Sequence, residues 1–223
     1  MNGHNSKTNN TKRIGTGLSF MVFPLIFVFA FAVHPNLLNP HLLGPAELIQ
    51  RAHNDSLLHF GHALVTLCTG LLVIVAIHFT NALKNTPKEW SGFIGGVLAV
   101  LGALILAADK GAFCLTMSAL DALPEEKFIN MMPGLLAIFG KEGWLVLTWG
   151  ILFLPIGFLI QAVGLLRSGS LAKWQCILFL IGVLFIGTPD GVEVINLTAA
   201  ILMAIALVPY GFKLIQEKSL GTT

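Results

Sequence analysis

Several apolar runs, each about 20 residues long and almost free of charge, dominate this sequence and restrict what it can fold into. The run from Leu57 to Leu83 contains no Asp, Glu, Lys or Arg. Runs of this length cross a bilayer as helices, because a helix satisfies its own backbone hydrogen bonds in lipid. Charged residues make up only 11% of the chain, against about 25% in soluble domains, so lipid must be the outer solvent. The sequence predicts an all-α, polytopic helical bundle in the lipid bilayer.

The runs predict about six transmembrane helices in one domain, residues 17–215, between a disordered cytoplasmic tail at 1–16 and a second tail at 216–223. The predicted spans are 17–34, 57–83, 91–110, 143–166, 174–188 and 191–209, with external loops at 35–56 and 111–142.

Two boundaries of this layout have alternatives. Residues 18–32 could be a cleaved signal peptide, since Ala30 and Ala32 form an A-x-A cleavage pattern. We favour a retained helix, because further spans are available to pack against it. The third span could run on to Met117, which would place Asp109 and Lys110 within the hydrocarbon.

Lysine and arginine are distributed unevenly between the two sides of this layout. The ends assigned to the cytoplasm collect most of the basic residues, and the opposite ends hold most of the carboxylates. Because cytoplasmic loops carry the excess of Lys and Arg, we expect both termini in the cytoplasm. The chain would be a multi-pass protein of the cell membrane or an inner membrane. The net charge of +2 does not suggest a nucleic-acid partner.

Histidines and carboxylates concentrate at the predicted outer boundary. His59 and His62 share one face of the second span, and Asp55 lies one turn before His59. Imidazole and carboxylate groups suit divalent zinc, iron or copper. The predicted metal ligands are therefore His59, His62, Asp55 and Asp190, which lies near the start of the sixth span. The alternative is that the two histidines are interfacial residues bonded to loop carbonyls.

Further histidines extend this candidate site. His34 and His53 lie near the same boundary and are additional candidates. Haem is a less favoured cofactor, because His62 and His78 lie about 24 Å apart along a helix and cannot ligate one haem together.

Charged residues in the third and sixth spans are a second group of candidates. We assign Asp109 and Glu193 as candidate catalytic residues and Lys110 as a further candidate. Adjacent side chains on a helix diverge, so we expect Asp109 to pair with a histidine or Lys141, and Lys110 with an acid such as Glu193. A structural ion pair and a proton relay are both open interpretations.

Three functions fit these patterns. The first is a metal-binding oxidoreductase or hydrolase that acts on a lipid-soluble or membrane-surface substrate. The alternative is a small-solute or ion transporter that uses Asp109, Lys110 and Glu193, although we find no internal repeat. The third is a non-catalytic anchor or accessory subunit. Such a subunit could form homo- or hetero-oligomers through a face made by Gly92, Gly95 and Gly96, because small residues let helices approach closely.

Overall fold

The computed structural model describes residues 2–35, 37–38, 40–188 and 191–217, and every regular element in them is helical. The α-helices are α1 (Asn2–Ala32), α2 (Pro45–Ala52), α3 (Ser56–Leu83), α4 (Glu89–Lys110), α5 (Thr116–Leu120), α6 (Glu125–Asn130), α7 (Met132–Phe139), α8 (Phe153–Ser168), α9 (Lys173–Phe185) and α10 (Glu193–Gln216). A π-helical segment, Gly111–Leu115, joins α4 to α5, and a 3-10 helix, Gly143–Leu152, precedes α8. The all-α prediction is confirmed.

The long helices form a closed ring. Going around it, α1 packs on α3, α3 on α4, α4 on α8, α8 on α9, α9 on α10, and α10 on α1. Phenylalanines fill the ring: Phe79 contacts Phe20, Phe158 and Phe179 with ring centroids 5.2 to 6.4 Å apart. Lipid tails are as apolar as these side chains, so close van der Waals packing stabilises the bundle more than burial from water does.

Five helical stretches are long and apolar enough to cross a membrane, one fewer than the predicted number of spans. The remaining predicted span, 174–188, forms α9, which ends at Phe185 and has 13 residues. Its length is about 20 Å at 1.5 Å per residue, short of the roughly 30 Å hydrocarbon core. The helix ring nevertheless carries α9 from one end of the bundle towards the other. The chain is therefore a multi-pass membrane protein in which one helix of the ring, α9, is short.

The third span is longer than the predicted 91–110. The π-helical segment and α5 continue α4 without a break, so the apolar helix extends from Glu89 to Leu120. The extension replaces part of the external loop predicted at 111–142, because the residues after Lys110 are themselves apolar and helix-compatible. The alternative in which the helix runs past Met117 is the one that the structure contains.

The two ends of the bundle differ. At the end where α3 and α10 begin, which we call the polar end, the short helices α2, α6 and α7 form a cap. The cap packs on the bundle through a small core of buried residues: Ile49, Ala52, Leu58, Met117, Phe128 and Leu135. The other end, where α3 ends and α8 meets α9, we call the basic end.

The predicted disordered tail at 1–16 differs from the structure, in which α1 begins at Asn2. The guanidinium of Arg13 donates hydrogen bonds to the carbonyls of Leu214 at 3.1 Å and Ile215 at 2.8 Å. These carbonyls lie in the last turn of α10, where the helix has no partners of its own for them. Arg13 thereby ties α1 to α10. Most of the second predicted tail, residues 218–223, lies outside the described residues.

The docking face predicted at Gly92, Gly95 and Gly96 stays a prediction, and the structure shows these glycines packed inside the chain. Gly92, Gly95 and Gly96 are all buried. A Cβ at Gly95 would lie 2.7 Å from the carbonyl oxygen of Gly157 on α8, and one at Gly92 would lie 2.8 Å from Leu83 on α3. The small residues let α4 approach α3 and α8 closely.

Candidate functional site

Asp121, just beyond α5, joins two histidines at the polar end. His59 Nε2 donates to Asp121 Oδ2 at 2.9 Å, and His53 Nδ1 donates to Asp121 Oδ1 at 2.8 Å. The backbone amide of Asn54 donates a third hydrogen bond, at 2.9 Å. Burial acts to raise the pKa of Asp121, but the bonds from His59, His53 and Asn54 outweigh it and hold the pKa below its usual value. A carboxylate anion thus links the cap to α3.

Local sequence explains how these groups reach Asp121. His53 follows the last turn of α2, and its ring stacks on Phe128 of α6 with centroids 3.9 Å apart. Asn54 has a positive φ of 59°, a conformation that Asn tolerates better than most residues, and it turns the chain towards α3. Asp55 then caps α3 by accepting a hydrogen bond from the Leu58 amide at 2.8 Å. The side chain of Asp55 is therefore a helix cap.

A surface groove of about 450 Å³ lies beside this junction. His59 and Asp121 line it together with Ser56, Ser118 and Phe60. Within the described residues, the second ring nitrogen of His59 is buried and has no hydrogen-bond partner.

A second, more enclosed cavity of about 90 Å³ lies between the cap and the ends of α3, α4 and α10. We call it the polar pocket. Its charged and imidazole lining consists of His34, Arg51, His62, Asp109, Lys110, Lys141 and Glu193. Apolar walls come from both the cap and the bundle, including Leu48, Phe113 and Phe139.

A partly buried ion pair forms part of the wall of the polar pocket. Lys141 Nζ lies 2.9 Å from Asp109 Oδ1, and Lys110 Nζ lies 3.8 Å from Asp109 Oδ2. Lys141 also lies 5.2 Å from the ring centroid of Phe113 and 4.7 Å from that of Trp149, so aromatic faces help to hold the cation. The predicted pairing of Asp109 with Lys141 is confirmed. Lys110 contacts its neighbour Asp109, which the expected divergence of adjacent side chains disfavoured.

Glu193 also lines the polar pocket. It is 4% exposed, and its Oε1 accepts a hydrogen bond from the Gly191 amide at 2.8 Å. The other oxygen, Oε2, is buried and has no hydrogen-bond partner among the described residues. A buried carboxylate oxygen without a donor is costly, which favours a task for it beyond packing.

Asn196 shapes the connection that leads to Glu193. Its Oδ1 accepts hydrogen bonds from the amides of Gly187 at 2.7 Å and Thr188 at 3.1 Å. The predicted sixth span began at 191, whereas α10 begins at Glu193, because this side chain holds the preceding residues in a loop. Glu193, the first residue of α10, therefore follows this loop directly and lines the polar pocket.

His34 and His62 complete the lining. Their rings meet edge to face with centroids 5.1 Å apart. His62 Nδ1 donates to the Leu58 carbonyl at 2.9 Å, and His34 Nδ1 donates to the Ala30 carbonyl at 2.7 Å. These bonds leave each ring's other nitrogen, Nε2, as the acceptor.

The structure separates the residues predicted as one metal site. His59 lines the surface groove and His62 lines the polar pocket, although the two are only three residues apart. Asp55 caps α3, and Asp190 lies outside the described residues. In the part of the chain that the structure describes, no group of three or more His, Cys, Asp or Glu side chains is placed to hold a metal ion. His78, at the basic end, donates to or accepts from the Tyr210 hydroxyl at 2.8 Å, far from His62 along α3.

Two important residues were not assigned a role from the sequence. Asp121 contacts residues 62 and 68 positions away, so no local spacing could have revealed its partners. Arg51 lies on α2 and lines the polar pocket only because the cap folds back over the bundle.

The fold and its site define an all-α, multi-pass membrane protein with a charged pocket at one end. No protein-family model matches the chain, and comparisons with curated proteins and with solved structures find no match.

Proposed function

We propose that this protein is a membrane-embedded hydrolase whose active site is the polar pocket, and that it acts on the polar end of a lipid-soluble substrate. The uneven distribution of Lys and Arg supports placing the polar end in the outer leaflet. The observation that carries the proposal is the buried Oε2 of Glu193, which has no hydrogen-bond partner among the described residues and lines a cavity with room for several waters.

Glu193 would act as the general base. Its carboxylate takes a proton from a water as that water attacks the substrate, and then returns the proton to the leaving oxygen. The Asp109–Lys141 pair supplies a fixed cation near the reacting group. His62 offers its Nε2 as a second hydrogen-bonding group in the same cavity.

A transporter is supported less well. Asp109, Lys110 and Glu193 all line the same cavity at the polar end. Phe20, Phe23 and Phe79 are at most 1% exposed and fill the bundle below it. A path through this packing requires a second conformation of the bundle.

The test is incorporation of heavy oxygen from labelled water into a lipid product. Purified full-length protein is incubated with mixed micelles of membrane lipid extract in water labelled with heavy oxygen, and the lipids are analysed by mass spectrometry. We expect wild-type protein to form a labelled product and Glu193→Gln to form it about 100-fold more slowly or worse, since a general base contributes at least that much.

Glu89→Gln is the matched control. Like Glu193, Glu89 lies in the first turn of a long helix, but Glu89 is exposed and lies at the basic end. It should leave the rate unchanged, and thermal melting must show that both variants remain folded. Equal label in wild type and Glu193→Gln, or no label with wild type, would reject the proposal.

A further inference from the structure

The charges around the polar pocket do not balance. Of the described residues that line it, Arg51, Lys110 and Lys141 are basic, and only Asp109 and Glu193 are acidic. The described lining therefore holds one more basic side chain than acidic side chains. An excess charge in a partly enclosed site is costly unless an opposite charge accompanies it.

Arg51 is the basic residue best placed to supply the missing contact. Its Nη1 donates one long hydrogen bond, 3.4 Å, to the carbonyl of Pro35. No carboxylate of the described residues lies within 4.0 Å of its guanidinium. A guanidinium has five donors in a planar fork that matches carboxylate and phosphate oxygens. Most of this fork therefore remains available for an anion.

The size of the pocket sets the size of the bound group. A cavity of about 90 Å³ holds a carboxylate or phosphate group with a few waters, but not an acyl chain. Next to it, the loop between α1 and α2 places Leu43 in the pocket wall while Leu42 is 68% exposed and Leu38 is 85% exposed. Exposed leucines beside a membrane helix offer an apolar surface for the rest of a lipid-like molecule.

We propose that the polar pocket binds one anionic oxygen group, a carboxylate or phosphate of charge −1, with Arg51 as the residue that selects it. The proposal rests on the proposed function, because it names the substrate class of the same site. One such anion brings the described lining to neutrality. The anion contacts Arg51 and Lys141, which both line the pocket, and the Glu193 carboxylate remains free to act on water.

The test measures binding by thermal shift of the detergent-purified full-length chain. The probes are decyl phosphate, decanoate, decanol and inorganic phosphate. We expect decyl phosphate or decanoate to raise the melting temperature in a saturable way and decanol to have no such effect. Binding of inorganic phosphate as tight as that of decyl phosphate would identify a free anion, rather than a lipid-borne one, as the source of the group.

Arg51→Gln should weaken binding of the anionic probes at least tenfold, and Arg167→Gln is the matched control. Arg167 is an exposed arginine in the last turn of α8, at the basic end, and its loss should leave binding unchanged. Melting of each variant without a probe reports its folding. Unchanged binding in Arg51→Gln, or equal binding of decanol and decyl phosphate, would overturn the proposal.

The two proposals fail in different ways. Arg51-dependent binding without any labelled product contradicts the hydrolase and leaves the anion site standing. A labelled product from an uncharged lipid supports the hydrolase and overturns the anion site.

Discussion

At the scale of single residues, the hydrogen bonds of Asp121 connect the cap to the bundle. It connects His53, which follows α2, with His59 in the first turn of α3, and it accepts the amide of Asn54 between them. All three donors belong to a stretch of seven residues, so one carboxylate fixes the turn from α2 into α3. The position of α2, and with it that of Arg51 over the polar pocket, depends on this turn.

We predict that Asp121→Asn destabilises the protein by about 1.5–3 kcal/mol at neutral pH, the usual value of a hydrogen bond to a charged group. The folded-state pKa of Asp121 lies below its ordinary value of 3.8. The carboxylate therefore contributes its stability in full above pH 3.8 and loses it as the pH falls through the lower, folded-state pKa. Melting temperatures measured from neutral pH to about pH 3 should fall more steeply in wild type than in Asp121→Asn.

Glu125→Gln is the control for this prediction. The Glu125 side chain is 66% exposed and approaches His53 only to 3.4 Å, so its loss should change the melting temperature little. Identical acid dependence in wild type and Asp121→Asn would contradict the role given to Asp121.

Sequence spacing predicted which residues lie at the polar end better than it predicted which side chains they contact there. Asp109 and Lys141 were expected to pair, because each needs an opposite charge and lies at the same predicted boundary. We expect His59 and His62 to share a cavity, because they lie only about 60° apart around the helix. They nevertheless line two different cavities. The partner of His59 depends on how the third span continues beyond Lys110, which apolar periodicity does not specify.

At the scale of elements, α4 and α8 pack with little space between their backbones. Gly157 of α8 faces the backbone of α4: a Cβ there would meet the nitrogen of Ala99 and the carbonyl oxygen of Gly95. Gln161, one turn further on, is fully buried and donates to the Ala76 carbonyl at 2.9 Å and to Thr80 Oγ1 at 3.1 Å. Backbone proximity and these interhelical bonds hold α3, α4 and α8 together.

We predict that Gly157→Ala lowers the stability of the bundle by about 1–3 kcal/mol, the usual cost of overpacking. The added methyl meets backbone atoms, which cannot rotate away as a side chain could. Thermal melting of the detergent-purified variant measures the change.

Gly70→Ala is the matched control, because Gly70 lies within α3 and a Cβ there meets nothing within 4 Å. It should be neutral or stabilising by up to about 1 kcal/mol from helix propensity. Equal melting temperatures of Gly157→Ala and wild type would show that α4 and α8 can move apart without loss of stability, which would contradict the prediction.

Element boundaries could be predicted only where composition changes. Lys84 and Lys88 mark the end of α3, and the predicted end at 83 is that of the helix. The third span has no such signal, because apolar residues follow Lys110 directly. The glycines of this span indicated close helix packing correctly, but a single sequence does not say whether the neighbour is another helix of the same chain or a second protein.

At the scale of the whole molecule, the pocket lies where the cap meets the polar ends of α3, α4 and α10. The bundle contributes His62, Asp109 and Glu193 to its lining, and the cap contributes Arg51. A charged cavity can form beside lipid only where protein surrounds it in this way.

The orientation of this ring in the membrane gives a last prediction. We expect the polar end outside, and we expect the loop before α9 and the end of α10 to lie on the same, cytoplasmic side. Cys68, Cys114 and Cys176 are buried, so cysteines introduced at exposed positions can be labelled selectively. Ser118→Cys at the polar end should react with a membrane-impermeant maleimide in intact cells, whereas Ser170→Cys and Glu217→Cys should react only after lysis.

Two other patterns would each have a definite meaning. Reaction of Glu217→Cys but not Ser170→Cys in intact cells would mean that α9 and α10 do not both cross, so that the short helix does not complete the ring. Reaction of both, with Ser118→Cys protected, would place the polar pocket on the cytoplasmic side. The hydrolase would then act on substrates of the inner leaflet, because the pocket lies at the polar end of the bundle and that end would face the cytoplasm.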